Sequence, residues 1–107
     1  MTRYGSVIRL KPDKVNMYNN LHRKVWPQVQ KVITRCNIRN YSIFFRDNWL
    51  FSYFEYMGDN YEEDMLKMAS DPNTLEWWDL CMPCQEPLEN RDPKEWWAMM
   101  EEVYHQD

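Results

Sequence analysis

The sequence predicts an α+β domain with elements in the order β-α-β-β-α-β, an antiparallel sheet carrying its helices on one face. Three observations predict it. Residues 13–35 hold an amphipathic helical pattern, and two stretches either side of Asp47-Asn48 alternate with the period of strands. Two further helical segments then precede a closing aromatic stretch. This order is the ferredoxin-like pattern, whose second sheet face needs cover. Aromatic residues on both faces of the middle strands predict that a second copy supplies it, in a homodimer of the dimeric α/β-barrel type.

Residues 3–10, RYGSVIRL, read as a strand ending at Lys11-Pro12, and Asp13 is placed to cap the helix that follows. Projected at about 100° per residue, Val15, Tyr18, Leu21, His22, Val25, Trp26, Val29, Val32 and Ile33 fall within an arc of about 140°. That is the width of a core-facing stripe. The register runs through Pro27, which projects to the polar side, so the segment predicts one bent helix and not two.

Tyr41, Ile43 and Phe45 share one face of a strand, and Leu50, Ser52, Phe54 and Tyr56 share a face of the next. Asp47-Asn48 suits a two-residue hairpin turn, since both residues tolerate left-handed backbone angles. Gly58-Asp59 ends the second strand. NYEEDMLKMAS then brings Tyr61, Met65, Met68 and Ala69 to one helical face. Asp71-Pro72 is a cap followed by proline at the first helical position, opening PNTLEWWDLCM. CMPCQEPLENRDPKE, with three prolines, reads as an extended loop, and WWAMMEEVYH as a last strand.

With 107 residues the chain is long enough for one domain over residues 1–107 and a single core. Its net charge of −4 and pI near 5.2 argue against nucleic acid or an anionic membrane as the partner. No apolar run approaches the roughly 20 residues of a membrane span. MTRYGSVIRLKPDK lacks the apolar core of a signal peptide. Three cysteines, an odd number, fit a reducing cytoplasm better than a disulfide scaffold.

Among groups that could carry chemistry, His22 comes first. It lies about 30° from the centre of the apolar stripe, with Tyr18 one turn before it and Trp26 one turn after. It reads either as a core histidine bonded to a backbone carbonyl or as a working group lining a cavity. Burying the ring unpaired would cost on the order of 1–3 kcal/mol, and an unperturbed pKa near 6.5 suits proton transfer at neutral pH.

Trp77 and Trp78 point about 100° apart on a helix and cannot both enter one core site. Either Trp78 packs with Met65 and Met68 while Trp77 covers a groove, or the pair forms a platform on which a sugar stacks. Trp96 and Trp97 read as packing residues. Cys81-Met82-Pro83-Cys84 closes a helical piece, where a redox CxxC would open one. A structural zinc would have to recruit Cys36, His22 and His105, so no metal site is expected. Glu55 reads as edge-exposed, with a second polar group of the pocket as the other reading. No Gly-rich phosphate loop, HExxH or GxSxG occurs.

Tyr18-x3-His22-x3-Trp26-Pro27, Asn40-Tyr41-Ser42-Ile43, Leu50-Phe51 through Glu55, and Trp77-Trp78 together resemble the L-rhamnose mutarotases. The resemblance runs from the first strand to Glu102-Val103-Tyr104, although the segment between Trp78 and that end adds nothing to the pattern. It implies a cytoplasmic homodimer of ferredoxin-like fold that interconverts the α and β anomers of L-rhamnopyranose without a cofactor. It also implies His22 as the proton donor, with Tyr18, Tyr41, Trp77 and Trp78 contacting the sugar. Other readings of the same topology are an L-fucose mutarotase, a small dimeric monooxygenase and a non-catalytic sugar-sensing module.

Overall fold

A computed structural model describes residues 1–107. Its central strand, β1 (Thr2–Leu10), follows from the alternation in its sequence: Ser6, Ile8 and Leu10 are buried while Arg9 faces solvent. β2 (Ile38–Arg46) and β3 (Trp49–Tyr56) form the expected hairpin. Asp47 and Asn48 turn it with φ of 50° and 66°, the left-handed pair that a twisted two-residue hairpin requires. β3 lies against β1 from Thr2↔Tyr56 to Arg9↔Trp49. The other edge of β1 takes two short strands, β4 (Gln85–Glu86) beside Arg9 and Leu10 and β5 (Ala98–Met100) beside Gly5 to Val7. Every pairing is antiparallel, and the strand order is that of a ferredoxin-like sheet.

The helices depart from expectation at Pro27. The apolar stripe belongs to two helices, α1 (Val15–His22) and α2 (Pro27–Arg35), not one bent helix. The reason is steric: a proline forces the residue before it out of the helical region, and Trp26 sits at φ −62°, ψ 132°. Pro27 then opens α2 at the first helical position, where it forfeits no intrahelical bond. The break spans residues 23–26, and the apolar side of each helix still meets the sheet. Asp13 does not cap α1 either. It lies inside a 3-10 turn, Pro12–Lys14, which precedes the helix without a side-chain cap.

α3 (Tyr61–Met68) is capped by Asn60, whose side chain accepts from the Glu63 amide. α4 (Pro72–Cys81) is capped as expected by Asp71, which accepts from the Thr74 amide at 2.9 Å. The proline-rich stretch is less irregular than its composition suggests. It holds a 3-10 turn, Met82–Cys84, and then β4, because two residues suffice to pair with the end of β1. The last strand is correspondingly short, and residues 101–107 carry no regular structure. No helix is long and apolar enough to cross a membrane.

Ile8, Leu10, Tyr18, Val29, Leu50, Trp77, Cys81 and Cys84 make the core between helices and sheet. The helix-free face is also apolar: Phe44, Phe51, Val7 and Ala98 stand directly opposite one another across four strands. Phe44 is 61% exposed there.

At the far end of β3, buried Asp64 accepts hydrogen bonds from Tyr56 and Asn37, which hold its carboxyl below the usual carboxylate range. Gly58 closes over this pair. A Cβ there would stand 2.6 Å from Tyr56 Cζ and 2.7 Å from Asp64 Oδ2. Gly58→Ala should therefore cost about 1–3 kcal/mol, lowering the thermal midpoint by roughly 4–8 °C per kcal/mol. A calorimetric scan that finds the midpoint unchanged would refute this packing.

Candidate active site

α1 ends at His22, so Tyr18 and His22 lie one turn apart on its final apolar face. Their rings stack with centroids 4.1 Å apart, and His22 Nδ1 is 2.9 Å from the Tyr18 carbonyl. A carbonyl only accepts, so Nδ1 carries the hydrogen and the neutral ring leaves Nε2 as its base. Trp77, from α4, closes edge-on against both His22 and Trp26, each at 5.2 Å.

Burial lowers the His22 pKa, and the bond to the Tyr18 carbonyl offsets part of that. The folded protein holds His22 neutral, whereas the unfolded chain takes up a proton near pH 6.5. This residue therefore withdraws stability as pH falls below that value, and at neutral pH its Nε2 is ready to accept a proton.

Tyr18 is 2% exposed, and desolvation raises its phenol well above the ordinary value. Tyr41 reaches the same region from β2. Asn40, at φ 50°, sits in the irregularity between Arg39 and Ser42, and Tyr41 follows on the helix-facing side, its ring 5.6 Å from Phe54. The Tyr41 ring keeps 43% of its surface, yet its phenol oxygen is desolvated and its pKa is pushed up to about 12. Buried Cys81 lies close enough to disfavour ionisation of both phenols. Both phenols thus stay protonated at neutral pH.

His22 contacts both Tyr18 and Trp77, and Tyr41, on the sheet, lies near enough to disfavour ionisation of Tyr18. Trp78 is half-buried against the core cluster and shares no ring contact with His22. Trp77 is the buried member of the pair, the reverse of an arrangement in which Trp78 packs and Trp77 covers a groove. Glu55 lies on the helix-free face, half-buried, accepting from Asn40 at 2.6 Å and Tyr53 at 2.7 Å.

Cys81 and Cys84 are both buried and free. Burial pushes the Cys81 thiol up to about 12 and raises Cys84 as well, the opposite of a redox-active CxxC. No three His, Cys, Asp or Glu side chains cluster as a metal would require.

One residue of the network escaped the sequence. Gln85 is 5% exposed, and its side chain links the Tyr18 hydroxyl at 3.3 Å to the Trp96 indole at 2.7 Å. A glutamine in a proline-rich stretch carries no periodicity that would mark it. An open depression of about 430 Å³ shares Gln85 and Trp96 with this network, and another of about 570 Å³ lies between α2 and α3. Neither is lined by His22.

The model of the L-rhamnose mutarotase family matches residues 3–106. The chain belongs to the L-rhamnose mutarotase family. The match includes the stretch after Trp78, where the resemblance of individual residues stopped. An L-rhamnose mutarotase of Oceanobacillus iheyensis is 31% identical over 109 aligned positions, all of both chains. Among solved structures, the L-rhamnose mutarotase of Formosa agariphila covers all of both chains with a TM-score of 0.77 at 21% identity. Tetracenomycin F2 cyclase of Streptomyces glaucescens reaches 0.74 at 14% identity over 100% of this chain and 98% of its own. At that identity the cyclase shares the fold alone. Membership of the mutarotase family marks the chain as an isomerase of carbohydrate anomers.

Proposed function

We propose that this protein interconverts the α and β anomers of L-rhamnopyranose, with His22 carrying the proton. The observation behind the reading is His22 itself: within a chain of the mutarotase family, its Nδ1 is tied to the Tyr18 carbonyl and its ring lies between Tyr18 and Trp77. That leaves one nitrogen fixed and the other free for the sugar.

Anomer exchange opens the hemiacetal, turns the C1–C2 bond of the aldehyde and recloses the ring on the opposite face. Neutral Nε2 of His22 takes the proton of the anomeric hydroxyl. The imidazolium so formed, made more acidic by burial, delivers that proton to the ring oxygen as the bond from C1 to that oxygen breaks. The proton is conserved and the reverse steps close the ring. Tyr18 and Tyr41, both neutral phenols, orient the two sugar oxygens. Trp77, beside His22, offers an apolar wall to the C–H face, and half-buried Trp78, next to it on α4 but outside the His22 cluster, one to the 6-methyl group. No step needs a cofactor.

The natural reaction in water is already measurable, so acid–base help of about 10²–10⁴-fold would account for much of a useful acceleration. Saturation-transfer NMR on L-rhamnose reads the exchange directly. A folded His22→Ala protein should lose about two to four orders of magnitude of the catalysed rate, and full exchange in that variant would sink the proposed role. Running L-fucose and L-lyxose beside L-rhamnose ranks the sugars, and L-lyxose, which lacks the methyl group, probes the apolar wall. Sugar binding without accelerated exchange would favour a sensing module instead.

The same reading includes a homodimer in the cytoplasm. Phe44, Phe51, Val7 and Ala98 form an apolar row on the helix-free face, and a second copy would cover it with its own row. Sedimentation should find wild type at twice the chain mass and Phe51→Asp as a monomer. A monomeric wild type refutes the pairing.

A further inference from the structure

We propose that Gln85 is a positioning residue for anomer exchange: anchored by the Trp96 indole, its amide turns the Tyr18 hydroxyl proton toward the sugar. The inference rests on the mutarotase reading of the site. An indole N–H can only donate, so the 2.7 Å contact between Trp96 Nε1 and Gln85 identifies the Gln85 atom there as the carbonyl oxygen, Oε1. The other end of the amide, which faces Tyr18 Oη at 3.3 Å, is then the NH2 group. An amide nitrogen donates and does not accept. Tyr18 Oη must therefore accept from Gln85, and its own O–H points away from the amide.

The chain of bonds thus has one direction, from the Trp96 N–H through the Gln85 amide to the Tyr18 oxygen. It ends in a phenol proton free to serve an outside acceptor. Both inner members are shielded from bulk water, Gln85 at 5% and Tyr18 at 2% exposure, so water does not compete for these bonds. The anchors are firm as well. Gln85 sits in β4 opposite Leu10, and Trp96 packs against the core just before β5. Without the indole, the amide could turn over, present Oε1 to Tyr18 and capture the phenol proton for itself.

The decisive variant is Gln85→Glu in the full chain. A carboxylate has no proton to give, so the Tyr18 O–H turns to it and is withdrawn from the sugar. Anomer exchange of L-rhamnose should fall about tenfold in kcat near pH 8, the size of one misdirected hydrogen bond, with KM nearly unchanged. The ratio of variant to wild-type rate should then rise as pH is lowered through the titration of the new carboxylate, which burial raises above the ordinary glutamate value of about 4.3, because the protonated glutamic acid again donates to Tyr18. The NMR titration of the His22 ring, recorded in both proteins, accounts for the shift that the new carboxylate imposes on it.

Trp96→Phe keeps the ring but not the N–H, and should lower kcat in the same sense by a smaller factor. Gln85→Met keeps the side-chain length without donor or acceptor and stands in where a buried glutamate prevents folding. It too should lose kcat and hold KM. A folded Gln85→Glu or Gln85→Met protein with the wild-type rate and pH profile overturns the proposal. Wild type that exchanges no anomers would overturn the mutarotase reading instead.

Discussion

The bond from His22 Nδ1 to the Tyr18 carbonyl is the contact on which the site depends. It spends one imidazole nitrogen on the backbone and so decides the tautomer, leaving Nε2 as the ring nitrogen able to take a proton. It also links two residues a turn apart, so stacking of the Tyr18 ring and orientation of the imidazole are one event. Burial then favours the neutral ring, while the carbonyl bond keeps it from losing basicity altogether. A histidine merely stored in a core would need the same first bond. What separates the two cases is the surroundings: a second aromatic wall at Trp77, two protonated phenols nearby, and a family in which the chain belongs from residue 3 to residue 106.

The fold serves this contact by supplying ends. α1 stops at His22 because Pro27 holds Trp26 in an extended conformation four residues on. The interruption frees the last turn of α1 to meet α4, whose Trp77 stands edge-on to His22 and Trp26 alike. From the sheet, the irregularity at Asn40 sets the position of Tyr41, and β4 delivers Gln85 to the Tyr18 hydroxyl. The two buried cysteines belong to the core behind Tyr18, and burial keeps their thiols protonated.

Much of this was legible in the sequence, and the exceptions have physical causes. The positions of Tyr18, His22 and Trp26 on one stripe, the Asp47-Asn48 turn and the Asp71 cap all follow from local chemistry, and local chemistry decided them. The helix break at Pro27 was misread because a four-residue interruption preserves the apolar register, so periodicity cannot distinguish one bent helix from two. The inward turn of Trp77 in place of Trp78 depends on how α4 docks, which adjacent residues on a helix do not reveal. Gln85 was invisible for a different reason. Its role comes from pairing with Leu10 across 75 residues of chain, and a two-residue strand in a proline-rich stretch leaves no pattern.

In the proposed reaction the half-buried, neutral imidazole of His22 sets the rate of ring opening. Anomer exchange of L-rhamnose followed against pH in wild type, alongside the NMR titration of the His22 ring, tests this. The rate should fall on the acid side with the midpoint of that titration, and this midpoint should lie below the ordinary histidine value of about 6.5. A rate that stays flat while His22 takes up its proton would contradict it.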